Sequence, residues 1–192
     1  SLAMRLLLLF LLIPTLGFFG YRAYEKLPGA PLELTYEVDL REAHQGTLIV
    51  TLIAEGKLPP SLDLEYPPGV FGNSQYGRKL LRPSAHALKE NGSMGHPLRV
   101  DQTSNGWRLG TRGLDRIGFI YRVDLSKANA DELDIRKHIS TPVSGGVRFA
   151  GFEVFLEPTN AEVKNITVSM HNPSGLPVLV PWPALIKSSN RA

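Results

Sequence analysis

Leu32, Leu34, Tyr36, Val38 and Leu40 alternate with Glu33, Thr35, Glu37 and Asp39, so an extended chain places every apolar side chain on one side. That period of two suits a half-buried strand and cannot be used by a helix, whose faces repeat every 3.6 residues. The run from Gly46 to Ala54 is β-branched and continuous, and it reads as the second arm of a hairpin turned around His44, Gln45 and Gly46. Leu62, Leu64 and Tyr66 alternate again until Pro67-Pro68-Gly69 stops them, and Val70 to Arg82 follows as an irregular loop. Leu80 to Leu88 fits either a strand or a helical turn, with a tight turn at Asn91-Gly92 after it. Leu98 to Gln102, Trp107 to Thr111 and Arg116 to Leu125 read as three short strands, with Trp107 and Leu109 facing a core.

Beyond these, Asn129 to Asp134 is the one helical candidate. Arg148 to Leu156 is expected as a strand with a bulge at Ala150-Gly151, Glu162 to Met170 as another strand, and Val178 to Val180 as a closing one. Strands separated by glycine and proline turns every ~8 to 12 residues imply an all-β fold. The expected architecture is an antiparallel β sandwich or saddle-like sheet over residues 32–183, with a tail at 184–192.

An apolar run from Leu6 to Phe19, preceded by Arg5 and broken by Pro14, is incompatible with an ordinary soluble element. It is shorter than the roughly 20 residues that span a bilayer easily, and its part from Leu6 to Ile13 has the length of a signal-peptide core, with small residues at Thr15-Leu-Gly17 after Pro14 as at a cleavage site. Residues 1–23 therefore read as a signal peptide or a membrane anchor, followed by a linker at 24–31 containing Pro28-Gly29-Ala30-Pro31. Export to a bacterial periplasm or cell envelope is the expectation. The absence of cysteine fits it and excludes disulfides and thiolate chemistry. The chain has 21 Lys and Arg against 18 Asp and Glu, and 19 against 18 once Arg5 and Arg22 are set aside. No clustered basic surface follows from that balance, so nucleic acid is not an expected partner.

A search for catalytic chemistry returns little. His44, His86, His96, His138 and His171 are scattered, with no H-E-x-x-H to bring two imidazoles and a carboxylate to one helical face. There is no G-x-S-x-G turn, and Ser144-Gly145-Gly146 runs into a strand where a phosphate loop needs a helix. Asp131 with Glu132, and Glu153 with Glu157, read as solvated edges. No catalytic residue, metal ligand or cofactor is expected, and the chain reads as a non-enzyme. Aromatic residues remain as candidates for a binding surface: Tyr66 and Phe71 in a rigid proline loop, Tyr76 beyond it, Phe152 in an aromatic-rich strand and Trp182 between two prolines.

Three blocks in order carry a family resemblance. They are Leu62-Asp-Leu-Glu-Tyr-Pro-Pro-Gly-Val70, then His96-Pro-Leu-Arg-Val-Asp-Gln-Thr-Ser-Asn-Gly-Trp-Arg-Leu109 with Phe119-Ile-Tyr-Arg-Val123. The third is Gly146-Val-Arg-Phe-Ala-Gly-Phe-Glu-Val-Phe-Leu-Glu-Pro158 leading to Val168-Ser-Met-His-Asn-Pro-Ser-Gly175. The series resembles the N-terminal β domain of glycyl aminopeptidase-type metallopeptidases. The resemblance covers Leu32 to about Trp182. In that family a zinc catalytic domain with H-E-x-x-H follows this domain. Here that motif is absent, and Leu176 stands where the family usually has Trp. No zinc or catalytic residue carries over. The resemblance implies the lone β domain of such a peptidase, or a relative keeping only this domain, that packs against or binds another protein or a peptidase domain. An independent envelope module for peptide or glycan is the alternative, with membrane contact through the N-terminal segment under either.

Overall fold

The computed structural model describes residues 31–66, 80–125, 141–143, 146–149, 151–173, 175 and 178. The signal or anchor segment, the linker and the helical candidate Asn129 to Asp134 lie outside them, as does most of the expected proline loop. The described residues are nearly all β, arranged as two main sheets and a small two-stranded one.

β1 (Leu32–Asp39) and β2 (Thr47–Glu55) form the expected hairpin, joined through a single 3-10 turn at Ala43–Gln45. In both strands the alternating residues are buried, from Leu32 to Val38 and from Leu48 to Ala54. The opposite face of β2 carries Thr47, Ile49, Thr51 and Ile53, all half-buried, so the run lacks the charged alternation of β1. β3 (Ser61–Glu65) buries Leu62 and Leu64. β4 (Leu80–Leu88) resolves the ambiguous segment as a strand with its register broken between Leu81 and Ser84. Pro83 has no N–H for the ladder and Arg82 sits at φ 52°, so the strand is bulged there, and that irregularity hid its period.

β5 (Met94–Leu98), β6 (Val100–Gln102), β7 (Gly106–Gly110) and β8 (Arg116–Asp124) follow. The large sheet has the order β12-β1-β2-β8-β4-β5, where β12 is Val163–His171. The second has the order β11-β3-β7-β6, where β11 is Glu157–Pro158, and β9 (Thr141–Val143) pairs with β10 (Gly146–Arg148) apart from both. The expected single strand Leu98 to Gln102 is two: β5 belongs to the large sheet, β6 to the second, and the chain changes sheets at Arg99. Such corner strands tie packed sheets together. The core lies between them, with Leu34, Tyr36, Leu52 and Phe119 from the large sheet meeting Leu62, Leu64 and Leu109 from the second.

Three expectations need correction. Arg148 to Leu156 is not a strand, because the chain turns at Gly151 into a four-residue helix, α1 (Gly151–Val154). The carbonyl of Val154 at its end and that of Leu156 just after it are taken by buried tyrosines, as described below, so no ladder is needed there. The large sheet is not wholly antiparallel. β12 returns from the second sheet and lies parallel to β1, pairing Leu34 with Ile166 and Val38 with Met170. Turn spacing reports only on consecutive strands, and this pairing joins the first and last of the described strands. Finally, Trp107 packs on the core from its margin and is only half-buried, whereas Leu109 is fully enclosed. Of the expected closing strand, Val178 is exposed and outside any strand, and its neighbours 179 and 180 are not described.

Candidate functional site

Two features stand out, a tyrosine-anchored turn and a charged groove. Tyr36 on β1 and Tyr121 on β8 are fully buried and point across the core toward α1. The Tyr36 hydroxyl donates to the Leu156 carbonyl at 2.5 Å. The Tyr121 hydroxyl donates to the Val154 carbonyl at 2.7 Å and accepts from the Leu156 N–H at 3.4 Å. Phe155 lies against Tyr36 with ring centroids 4.6 Å apart, and Phe149 meets Phe155 edge-on at 6.2 Å. Burial pushes the Tyr36 hydroxyl well above its ordinary range, with Glu157 adding to the effect. Burial does the same for Tyr66 and Tyr121, and for Tyr121 the neighbouring Tyr66 contributes further. Neutral phenols so buried can donate hydrogen bonds, as Tyr36 and Tyr121 do to hold α1 and the residues after it, but they cannot serve as bases near neutral pH.

The groove, of about 520 Å3, opens where the chain changes sheets. Its floor is the outer face of the second sheet, where the register sets Ser61, Gly110 and Arg99 in one row and Asp63, Arg108 and Asp101 in the next. The Arg108 guanidinium grips Asp63 with both arms, at 2.6 and 2.8 Å. That contact holds the Asp63 carboxyl below its ordinary range. Arg99 Nε lies 2.8 Å from Asp101 Oδ2. Thr111 is buried and fastens the floor, its hydroxyl donating to the Pro59 carbonyl and its N–H to the Pro60 carbonyl. His96, Leu98, Arg112 and Leu114 form the rim.

Of the aromatic residues named from sequence, Tyr66 is half-buried at the end of β3 and packs on the core. Phe71, Tyr76 and Trp182, and the side chain of Phe152, lie outside the described residues. The structure thus brings none of these five together among the described residues. Among them, too, no three His, Asp or Glu side chains converge on a point that could hold a metal ion, and His138 lies outside them. No helix among the described residues is long and apolar enough to cross a membrane. Sequence reasoning missed the groove arginines. The available signal was a set of opposite charges at alternate positions, Arg99 just before β6 and Asp101 within it, with Arg108 on β7 and Asp63 on β3, which come together only once the register is known.

No family model matches the chain, and no curated protein matches it by sequence. Solved structures do. An aminopeptidase N family protein from Idiomarina loihiensis matches over 71% of this chain and 22% of its own, at 16% identity and a TM-score of 0.51. A two-domain M1 zinc metallopeptidase mutant bound to L-tryptophan matches over 74% and 33%, at 15% identity and a TM-score of 0.39. An M1 zinc metallopeptidase from Deinococcus radiodurans, a mutant bound to a Tyr-Ser-Ala substrate, matches over 74% and 32%, at 16% identity and a TM-score of 0.35. The chain thus spans between a fifth and a third of the length of these structures, and the first likeness establishes a shared fold.

Proposed function

We infer that this chain is a non-catalytic, exported β domain, built like the N-terminal domain of glycyl aminopeptidase-type metallopeptidases, that acts by packing against or binding another polypeptide. The observation that carries the reading is the shared fold: most of this chain superposes on about a fifth of an aminopeptidase N family protein. A domain that forms a minor part of a longer protein meets the remainder through an interface, commonly of ~600 to 1,500 Å2. Its surface has to serve that contact. Nothing in the sequence supplies the paired histidines and glutamate of a zinc peptidase, so the activity belongs to whatever this domain supports. A second reading, an independent envelope module for peptide or glycan, is favoured by the open charged groove.

Photo-crosslinking from exposed positions Ile166 and Met94, on the outer strands of the large sheet, tests the first reading in the producing cells. Adducts to a polypeptide that carries a zinc-peptidase motif are expected, in the envelope fraction. Hydrolysis of aminoacyl nitroanilides by the purified full chain with added zinc would refute the non-catalytic role, and a cytoplasmic location would refute export.

A further inference from the structure

The groove at the sheet switch has more in it than an ion-pair ladder needs. On its floor Gly110, the last residue of β7, stands between Ser61 and Arg99 with its backbone exposed. A Cβ there would meet only the Arg99 Cβ and carbonyl, at 3.7 and 4.0 Å, which is ordinary contact, so packing does not demand glycine. With no side chain over it, the backbone of this row lies open to the close approach of a ligand. Around this bare floor, three guanidiniums (Arg99, Arg108 and Arg112) face two carboxylates (Asp63 and Asp101), an excess of one positive charge. Both carboxylates are already engaged, by Arg108 and by Arg99. Arg112 has no partner among the described residues, and the two Nη groups of Arg99 are likewise uncommitted.

We propose that this groove binds a small organic oxyanion, a molecule carrying one carboxylate or phosphate group on a partly apolar body. Arg112 and the Nη groups of Arg99 supply the planar donor pairs that an oxyanion accepts. The Ser61 hydroxyl offers a neutral hydrogen bond. Pro60, Leu98 and Leu114 give the carbon body an apolar wall. The volume falls in the ~300 to 1,000 Å3 range of ligand sites, too large for a bare ion alone. A polyanion is disfavoured because Asp63 and Asp101 would repel its further charges. The inference does not depend on the polypeptide-packing role, since its test reads small-molecule binding to the purified chain.

Isothermal titration of the full chain in mild detergent at low ionic strength tests it with three probes: N-acetyl-alanyl-alanine, the same peptide as its C-terminal amide, and glycerol 3-phosphate. The expected result is saturable binding of the carboxylate, the phosphate or both, with the amide silent; whichever acid binds identifies the source of the oxyanion. Arg112→Gln should weaken the binding about tenfold, the loss of one charged contact. Gly110→Val should abolish it while the melting temperature is kept, because valine suits a strand and fills only the groove. Failure of both acids to bind, equal binding of the amide, or unweakened binding by either variant would overturn the proposal.

Discussion

Replacing Tyr121 with Phe removes a single oxygen atom and tests whether buried phenols are what hold α1 against the large sheet. The ring stays, so no cavity of consequence opens and the effect isolates the hydroxyl. That hydroxyl serves the Val154 carbonyl at 2.7 Å and, at a longer 3.4 Å, the Leu156 N–H. Val154 and Leu156 are both fully buried, so water cannot take over the carbonyl. A net hydrogen bond is worth about 1 kcal/mol, and a stranded buried polar group costs about 1 to 3 kcal/mol. The expected loss is therefore about 2 to 3 kcal/mol. In urea, with a slope of about 1 to 3 kcal/mol per molar, this lowers the unfolding midpoint by roughly 1 M. Exchange of the Phe155 amide, which donates to the Gly151 carbonyl inside the turn, should quicken more than that of amides in β2. Tyr36→Phe should cost a similar amount, and the double variant less than the sum, because both phenols secure one turn. High pH gives an independent check. Burial raises the folded-state ionisation of these phenols above the unfolded value of about 10, so their stabilisation is whole below pH ~10 and lost as pH climbs beyond it. The wild type should lose stability there more steeply than Tyr121→Phe. An unchanged midpoint and slope in Tyr121→Phe would refute the account.

Gly106→Ala should be poorly tolerated, because the added Cβ would lie 2.0 Å from the Leu64 carbonyl oxygen and force β3 and β7 apart; a melting temperature within error of wild type would contradict this. Leu109→Ala should cost about 2 to 5 kcal/mol as a core truncation, and Trp107→Ala less than its size suggests because the ring is half outside; paired denaturation curves give the order. Asp63→Asn should cost under about 1 kcal/mol at neutral pH, as partly exposed ion pairs do. Since Arg108 depresses the Asp63 carboxyl, its contribution is present above the unfolded value of about 3.9 and fades as pH falls through the folded one. The two proteins should therefore converge in acid, as thermal melts across that range will show.

Strands with one buried face were plain in the sequence, because Leu32 to Leu40 and Leu48 to Ala54 repeat every second residue and the pleat alone decides what they bury. What the sequence concealed were departures from that repeat whose cause lies elsewhere in the fold. β4 is bulged at Arg82 and Pro83, so its period slips midway. The run from Arg148 to Leu156 looks like a strand locally, and turns at Gly151 because Tyr36 and Tyr121, distant in sequence, satisfy the carbonyls of Leu156 and Val154. The groove was hidden for the same reason: Asp63 and Arg108 are 45 residues apart, and only the register makes them neighbours.

The parallel seam between β1 and β12 sets an order of events for the chain as it is made. Glu33 and Asn165, paired across that seam, are 132 residues apart. β1 emerges early and β2 can zip onto it at once, but the other flank of β1 stays bare until nearly the whole domain has followed. Contacts so remote slow folding, since the intervening loop must close before they form. An uncovered strand flank is also a template for pairing with the wrong chain. A polypeptide that completes its sheet last at the strand made first gains from being kept unfolded while it is synthesised. Ribosome-bound chains halted before Val163 should therefore aggregate or recruit holding chaperones, and chains extended past His171 should not.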